Sequence, residues 1–164
     1  MQLREELFDR YPNVKLEVDN NMPLKQGGHY ERDEIDPDGY IILTGRANYY
    51  MQNGFLAEEF GHHETSYGDI LSAYRKSTKD HIDSLRQELR ARRYGYKLAV
   101  PLEKLIKCYK QGVWGDVYDM CLTMQIDRSY FYEAIKDYKK QFGSYVKYDG
   151  YYIQFEPLDI KKLE

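Results

Sequence analysis

The sequence predicts an α+β fold: a small N-terminal antiparallel sheet packed on two helices, then a helix-turn-helix-like subdomain and a C-terminal β-hairpin. Three observations carry that reading. Residues 14–18, Val-Lys-Leu-Glu-Val, alternate strictly, and residues 40–44, Tyr-Ile-Ile-Leu-Thr, form a short apolar run, the two signatures of strands. Apolar positions over 48–64 and from Thr78 to Val100 recur at helical spacing instead. Near the C-terminus, Asp149-Gly150 divides two tyrosine-rich segments, and that pair favours the type I′ turn of a tight hairpin.

In chain order, Leu3, Leu7, Phe8 and Tyr11 predict a short amphipathic helix that Pro12 ends. The strand at 14–18 follows, and a second strand is expected from His29 to Ile35. Asp36-Pro37-Asp38-Gly39 is turn chemistry, because proline fixes one dihedral and glycine accepts a positive one; the strand at 40–44 comes next. Tyr49, Phe55, Leu56 and Phe60 mark the core face of the helix at 48–64, which Thr65-Ser66-Tyr67-Gly68-Asp69 breaks. The long helix starts at Thr78 as N-cap, runs through Ile82, Leu85, Leu89 and Tyr96, and stops before Pro101. A shorter helix at 102–110 ends near Gly112. Helices at 115–124 and 128–141 meet at Gln125-Ile126-Asp127, with Asp127 capping the second. Residues 145–155 make the hairpin.

With 164 residues, 42% hydrophobic and 31% charged, the chain suits one compact domain with a small appended subdomain. No apolar run has the length of a membrane span, and Met1-Gln2-Leu3-Arg4-Glu5-Glu6 lacks the order of a signal peptide, so a cytoplasmic location is expected. Cys108 and Cys121 stand too far apart for a metal clip and read as buried thiols. The net charge of −3 hides an asymmetry: residues 74–114 hold 11 basic and 4 acidic side chains, whereas residues 1–73 hold 6 and 14. We read that basic stripe as a solvated helix face.

Glu58 and His62 lie four apart on the helix at 48–64, so their side chains leave one face within reach of a single ion. In the metallopeptidase string H-E-x-x-H, two ligands at this spacing hold zinc and the intervening glutamate accepts a proton from water. This chain offers E-E-x-x-H. Glu59 and His63 have the same spacing, but the residue after Glu59 is Phe60, which accepts no proton, whereas the residue after Glu58 is Glu59. The Glu58/His62 frame is therefore the one suited to catalysis, with Glu59 as base and His63 as a neighbour or a partner of a buried acid.

Leu56-Ala57-Glu58-Glu59-Phe60-Gly61-His62-His63, followed by Thr65-Ser66-Tyr67-Gly68-Asp69, resembles the active helix of ImmA/IrrE-type metallopeptidases of phages and integrative mobile elements. Glu88-Leu89-Arg90-Ala91, running on through Tyr94-Gly95-Tyr96-Lys97-Leu98-Ala99-Val100-Pro101, looks like that family's second helix, where a glutamate three before an alanine is the third metal ligand. The resemblance covers most of the chain. It implies a zincin-like active-site helix, a metal held by Glu58, His62 and Glu88, and a catalytic lobe over 1–112, with the C-terminal helical pair and hairpin of 113–164 packed as one compact unit. It implies further a metallo-endopeptidase that cuts a helix-turn-helix repressor.

Glu58 departs from the family, which has histidine there. Two carboxylates and one imidazole neutralise a divalent ion more fully than the usual set, so water at the ion is less acidified. Zn2+ is expected, with Mn2+ or Fe2+ admitted by the oxygen-rich ligands. The same substitution leaves room for a non-catalytic antirepressor that keeps the fold and binds without cutting. Tyr67 could donate to a developing oxyanion, and Asp69 or His63 could orient a ligand; His29 reads as a surface histidine. The segment from Trp114 to Ile135 has the rhythm of a helix-turn-helix. Its second helix sets Arg128, Lys136, Lys139 and Lys140 against Asp127, Glu133 and Asp137, too few net cations for phosphate contacts, so a protein partner is expected in place of DNA.

Overall fold

The computed structural model describes residues 2–66 and 78–164, with 78–80 described by backbone alone, and its described chain divides into two compact units, Met1–Leu98 and Ala99–Glu164. That division puts the helix at 102–110 in the second unit, where the sequence reading ended the first lobe at 112. The class is mixed α and β, and no helix among the described residues is long and apolar enough to cross a membrane.

The first unit opens with α1 (Leu3–Arg10), whose entry is fixed by the Gln2 N–H donating to the Glu5 carboxylate at 3.0 Å. Three strands follow: β1 (Lys15–Asp19), β2 (Gly28–Glu31) and β3 (Tyr40–Thr44). Their sheet is not purely antiparallel as expected. The order is β1-β3-β2, with β3 parallel to β1 and antiparallel to β2. Chain direction reverses from β1 to β2 and again to β3, so a third strand that inserts between the first two must run parallel to the first. β2 also stops at Glu31, short of Ile35, because the Asp33 side chain accepts the N–H groups of Ile35 and Asp36 (2.9 and 2.7 Å) and draws the backbone into a turn. The turn at 36–39 forms as predicted, with the Gly39 N–H donating to the Asp36 carbonyl at 3.0 Å and Gly39 at φ +87°.

Ile41 and Leu43 of β3 are fully buried, as are Leu56, Ala57 and Phe60 of α2 (Tyr49–Thr65), which packs on β2 and β3. Phe60 stacks on Tyr11 (4.9 Å, 16°) and meets the edge of Phe8. Asn48 caps α2 by accepting the Met51 N–H at 2.9 Å, and the helix ends at Ser66 as the break in the sequence predicts.

α3 (Thr78–Ala99) meets α2 through backbone rather than through large side chains. A Cβ on Gly61 would stand 2.0 Å from the Ala91 carbonyl oxygen, and one on Gly95 would stand 2.9 Å from the Ala57 carbonyl oxygen. Ile82, Leu85 and Leu89, the apolar positions that mark the helix in the sequence, stay exposed, while Ala91 and Tyr96 are buried. The N-cap role read for Thr78 lies outside the described side chains.

In the second unit, α4 (Leu102–Lys110), α5 (Val117–Met124) and α6 (Arg128–Phe142) precede an antiparallel meander of β4 (Tyr145–Tyr148), β5 (Tyr151–Phe155) and β6 (Leu158–Lys162). Tyr148 pairs with Tyr151, and Asp149 and Gly150 both have positive φ (47° and 81°), the predicted two-residue turn. β6 extends the expected hairpin to three strands; its one buried side chain, Ile160, is too faint a signal to read beforehand. Asp127 caps α6 by accepting the Ser129 N–H at 3.1 Å. Leu105, Met120, Phe131 and Ile153 are among the side chains that fill this unit's core.

Candidate metal centre

Glu58 and His62 leave one face of α2, one turn apart, and the close approach at Gly61/Ala91 and Gly95/Ala57 brings Glu88 of α3 to meet them. Each of the three offers a ligand atom, and these atoms all lie within 4.8 Å of one another. His62 Nε2 stands 3.4 Å from Glu88 Oε2. Ligand bonds of the usual length to a tetrahedral ion imply about 3.3 Å between neighbouring donors, so that pair is already at coordination spacing. The His62 side chain is 10% exposed and that of Glu88 47%, so the cluster runs from the buried helix face to the surface.

Glu59 sits beside the cluster and is 8% exposed. Burial pushes its carboxyl up to about 8; nearby His62 pulls the other way, and Glu58 and Glu88 add to the rise. Burial also disfavours a charged His62, yet the hydrogen bond to Glu88 and the fields of Glu59, Glu88 and Glu58 outweigh it and hold the imidazole above its ordinary value. Glu88 is lowered, first by that same bond. The donor spacing fits a divalent ion, which would offset the carboxylates of the cluster. His62 Nδ1 is buried with no hydrogen-bond partner among the described residues.

His63 points elsewhere. Its Nδ1 shares a 2.7 Å hydrogen bond with the Tyr30 hydroxyl, and its ring meets the edges of Tyr11 (5.2 Å) and Tyr30 (5.5 Å). Burial and then Arg32 lower its pKa, so it stays neutral near pH 7. The Glu59/His63 frame is therefore not assembled, and His63's partner is a phenol. His29 is part exposed, 3.8 Å from Glu31. Tyr67 and Asp69 lie outside the described residues.

Two further residues border the cluster. Arg92 Nε is 3.9 Å from Glu58 Oε1; its place one turn after Glu88 on α3 was the available signal. Gly28 of β2 leaves room for Glu59, since a Cβ there would stand 3.1 Å from Oε1. No sequence spacing announces that contact, because it joins a strand to a helix. In comparisons with known proteins, no family model, no curated protein and no solved structure matches this chain.

Proposed function

We propose that this chain is a metal-dependent endopeptidase that cuts a regulatory protein, with Glu58, His62 and Glu88 holding the ion and Glu59 moving the proton. The convergence of three donor atoms within 4.8 Å beside a buried carboxyl group carries the reading. Zn2+ is the ion we favour, with Mn2+ or Fe2+ compatible with two carboxylate ligands. When bound, the ion supplies Lewis acidity to the scissile carbonyl and makes water a stronger acid. Glu59 takes the proton of the attacking water and returns it to the departing amine. β2, an edge strand of the sheet, runs past Glu59 at Gly28, and an extended peptide adds to such an edge through main-chain hydrogen bonds.

The likeness to ImmA/IrrE-type metallopeptidases supports a helix-turn-helix repressor of a phage or mobile element as substrate. The test is Glu59→Gln: metal content unchanged, cleavage of the repressor lowered by about 10²- to 10⁴-fold. Undiminished cleavage removes Glu59 from the mechanism.

A second reading, an antirepressor that acts by binding alone, draws on the ion pairs. Arg92 faces Glu58 and Glu88 faces His62, so the cluster can balance its own charge without a metal. Equal relief of repression by wild type and Glu59→Gln in cells would favour it.

A further inference from the structure

We propose that the second unit, Ala99–Glu164, binds duplex DNA, with α6 entering the major groove and the β4–β5 hairpin lying along the backbone beside it. The inference is independent of the metal centre, which belongs to the first unit. α5 and α6 are joined by a three-residue turn in which Gln125 adopts the left-handed conformation, Ile126 is buried and Asp127 caps α6. A short turn of this kind is what a helix-turn-helix uses to present one face of its second helix. Tyr138 and Phe142 of α6 contact the ring of Phe155 on β5, fastening the hairpin to the helix.

The outer face of α6 carries Arg128, Tyr132, Lys136 and Lys140 at four-residue intervals, all exposed, while Phe131, Ala134, Ile135 and Tyr138 fill the inner face. From Arg128 to Lys140 the helix rises about 18 Å. The major groove is about 12 Å wide, so the end cations reach the flanking phosphates while Tyr132 and Lys136 face the base edges. Lys147, exposed two residues before the exposed Asp149 of the hairpin turn, adds a further cation on β4.

The acidic residues that weigh against DNA in the sequence are mostly off this surface. Asp127 is occupied as the helix cap and Asp137 is buried. Lys139 is paired with Glu156, which removes one charge of each sign. Glu133 is the one acid left on the exposed face of α6, against Arg128, Lys136 and Lys140.

The test is fluorescence anisotropy of a labelled mixed-sequence duplex of about 20 base pairs titrated with the full chain at several salt concentrations. Three phosphate contacts, by Arg128, Lys140 and Lys147, predict an affinity that falls on the order of 40-fold between about 50 and 200 mM salt. Arg128→Ala/Lys136→Ala/Lys140→Ala should weaken binding more than about 10-fold at low salt and flatten the salt slope towards that of a single contact. Glu133→Gln, which removes a repulsive charge, should tighten it. Absence of salt-dependent duplex binding overturns the proposal, as does a triple variant with native circular dichroism that binds as wild type does. Tighter binding of a single strand of equal length, or capture of a protein with no affinity for duplex, also overturns it.

Discussion

If Glu58 stands, as proposed, where the resembled family has an imidazole ligand, the consequence of the carboxylate is testable by reversing it. Glu58→His should still bind zinc, and, with one negative charge fewer around the ion, its cleavage should rise at lower pH than that of wild type. Glu58→Ala should lose metal affinity; zinc titration and cleavage–pH profiles in one buffer series decide. Glu59 makes a separate prediction for the metal-free protein. Its folded carboxyl keeps its proton up to about 8, whereas an unfolded glutamate releases it near 4.5. Between those values the unfolded chain binds fewer protons, so stability falls as pH rises. Glu59→Gln should therefore flatten the decline in melting temperature between about pH 5 and pH 9, leaving what His62, also raised, contributes with the same sign and what His63, lowered, contributes with the opposite one. Parallel curves would assign the decline to other groups. Glu58, Glu59 and His62 were legible because ligand spacing along one helix is local information. Glu88 needed a second block of sequence, and Arg92 and Gly28 join the cluster only through tertiary packing.

The meeting of α2 with α3 sets the geometry of the Glu58, His62 and Glu88 cluster, and glycine makes it possible. Gly61→Ala forces a methyl group against the Ala91 carbonyl, which cannot swing aside as a side chain can. The helices must separate, carrying Glu88 away from His62. We expect a destabilisation of about 1–3 kcal/mol together with weakened zinc binding. Gly95→Ala, whose methyl group would be 2.9 Å from the Ala57 carbonyl oxygen, should do the same more mildly. Thermal melts and zinc titrations of both variants check this; a Gly61→Ala protein with wild-type zinc affinity would uncouple the helix contact from the site. Elements were read from the sequence more reliably than their partners. Alternation located β1 and an apolar run located β3, yet nothing in either strand states that β3 lies between β1 and β2, because strand order joins residues far apart in the chain. In α3 the periodic Ile82, Leu85, Leu89 and Tyr96 marked a helix, but only Tyr96 of the four is buried, and the closest approach to α2 is made at Ala91 and Gly95.

At the scale of the whole chain, Cys108 and Cys121 are free and buried in the second unit, as read from their context. Burial raises both thiols, Cys121 to about 11. Alkylation of the native protein near pH 8 should thus be slow and become rapid on denaturation, as mass spectrometry over time would show. Fast native labelling would mean that the second unit opens readily. The order of strands also governs how each unit assembles. The second unit joins neighbours in sequence, with a two-residue turn between β4 and β5, whereas the first must bring Lys15 beside Tyr40 and place β3 into a gap that β1 and β2 leave between them. Non-local pairing of that kind slows folding, because chain entropy is lost before contacts compensate. The chain's one tryptophan, Trp114, lies in the second unit. After dilution from denaturant, its fluorescence should recover ahead of the far-ultraviolet circular dichroism of the complete molecule, which waits for the inserted strand.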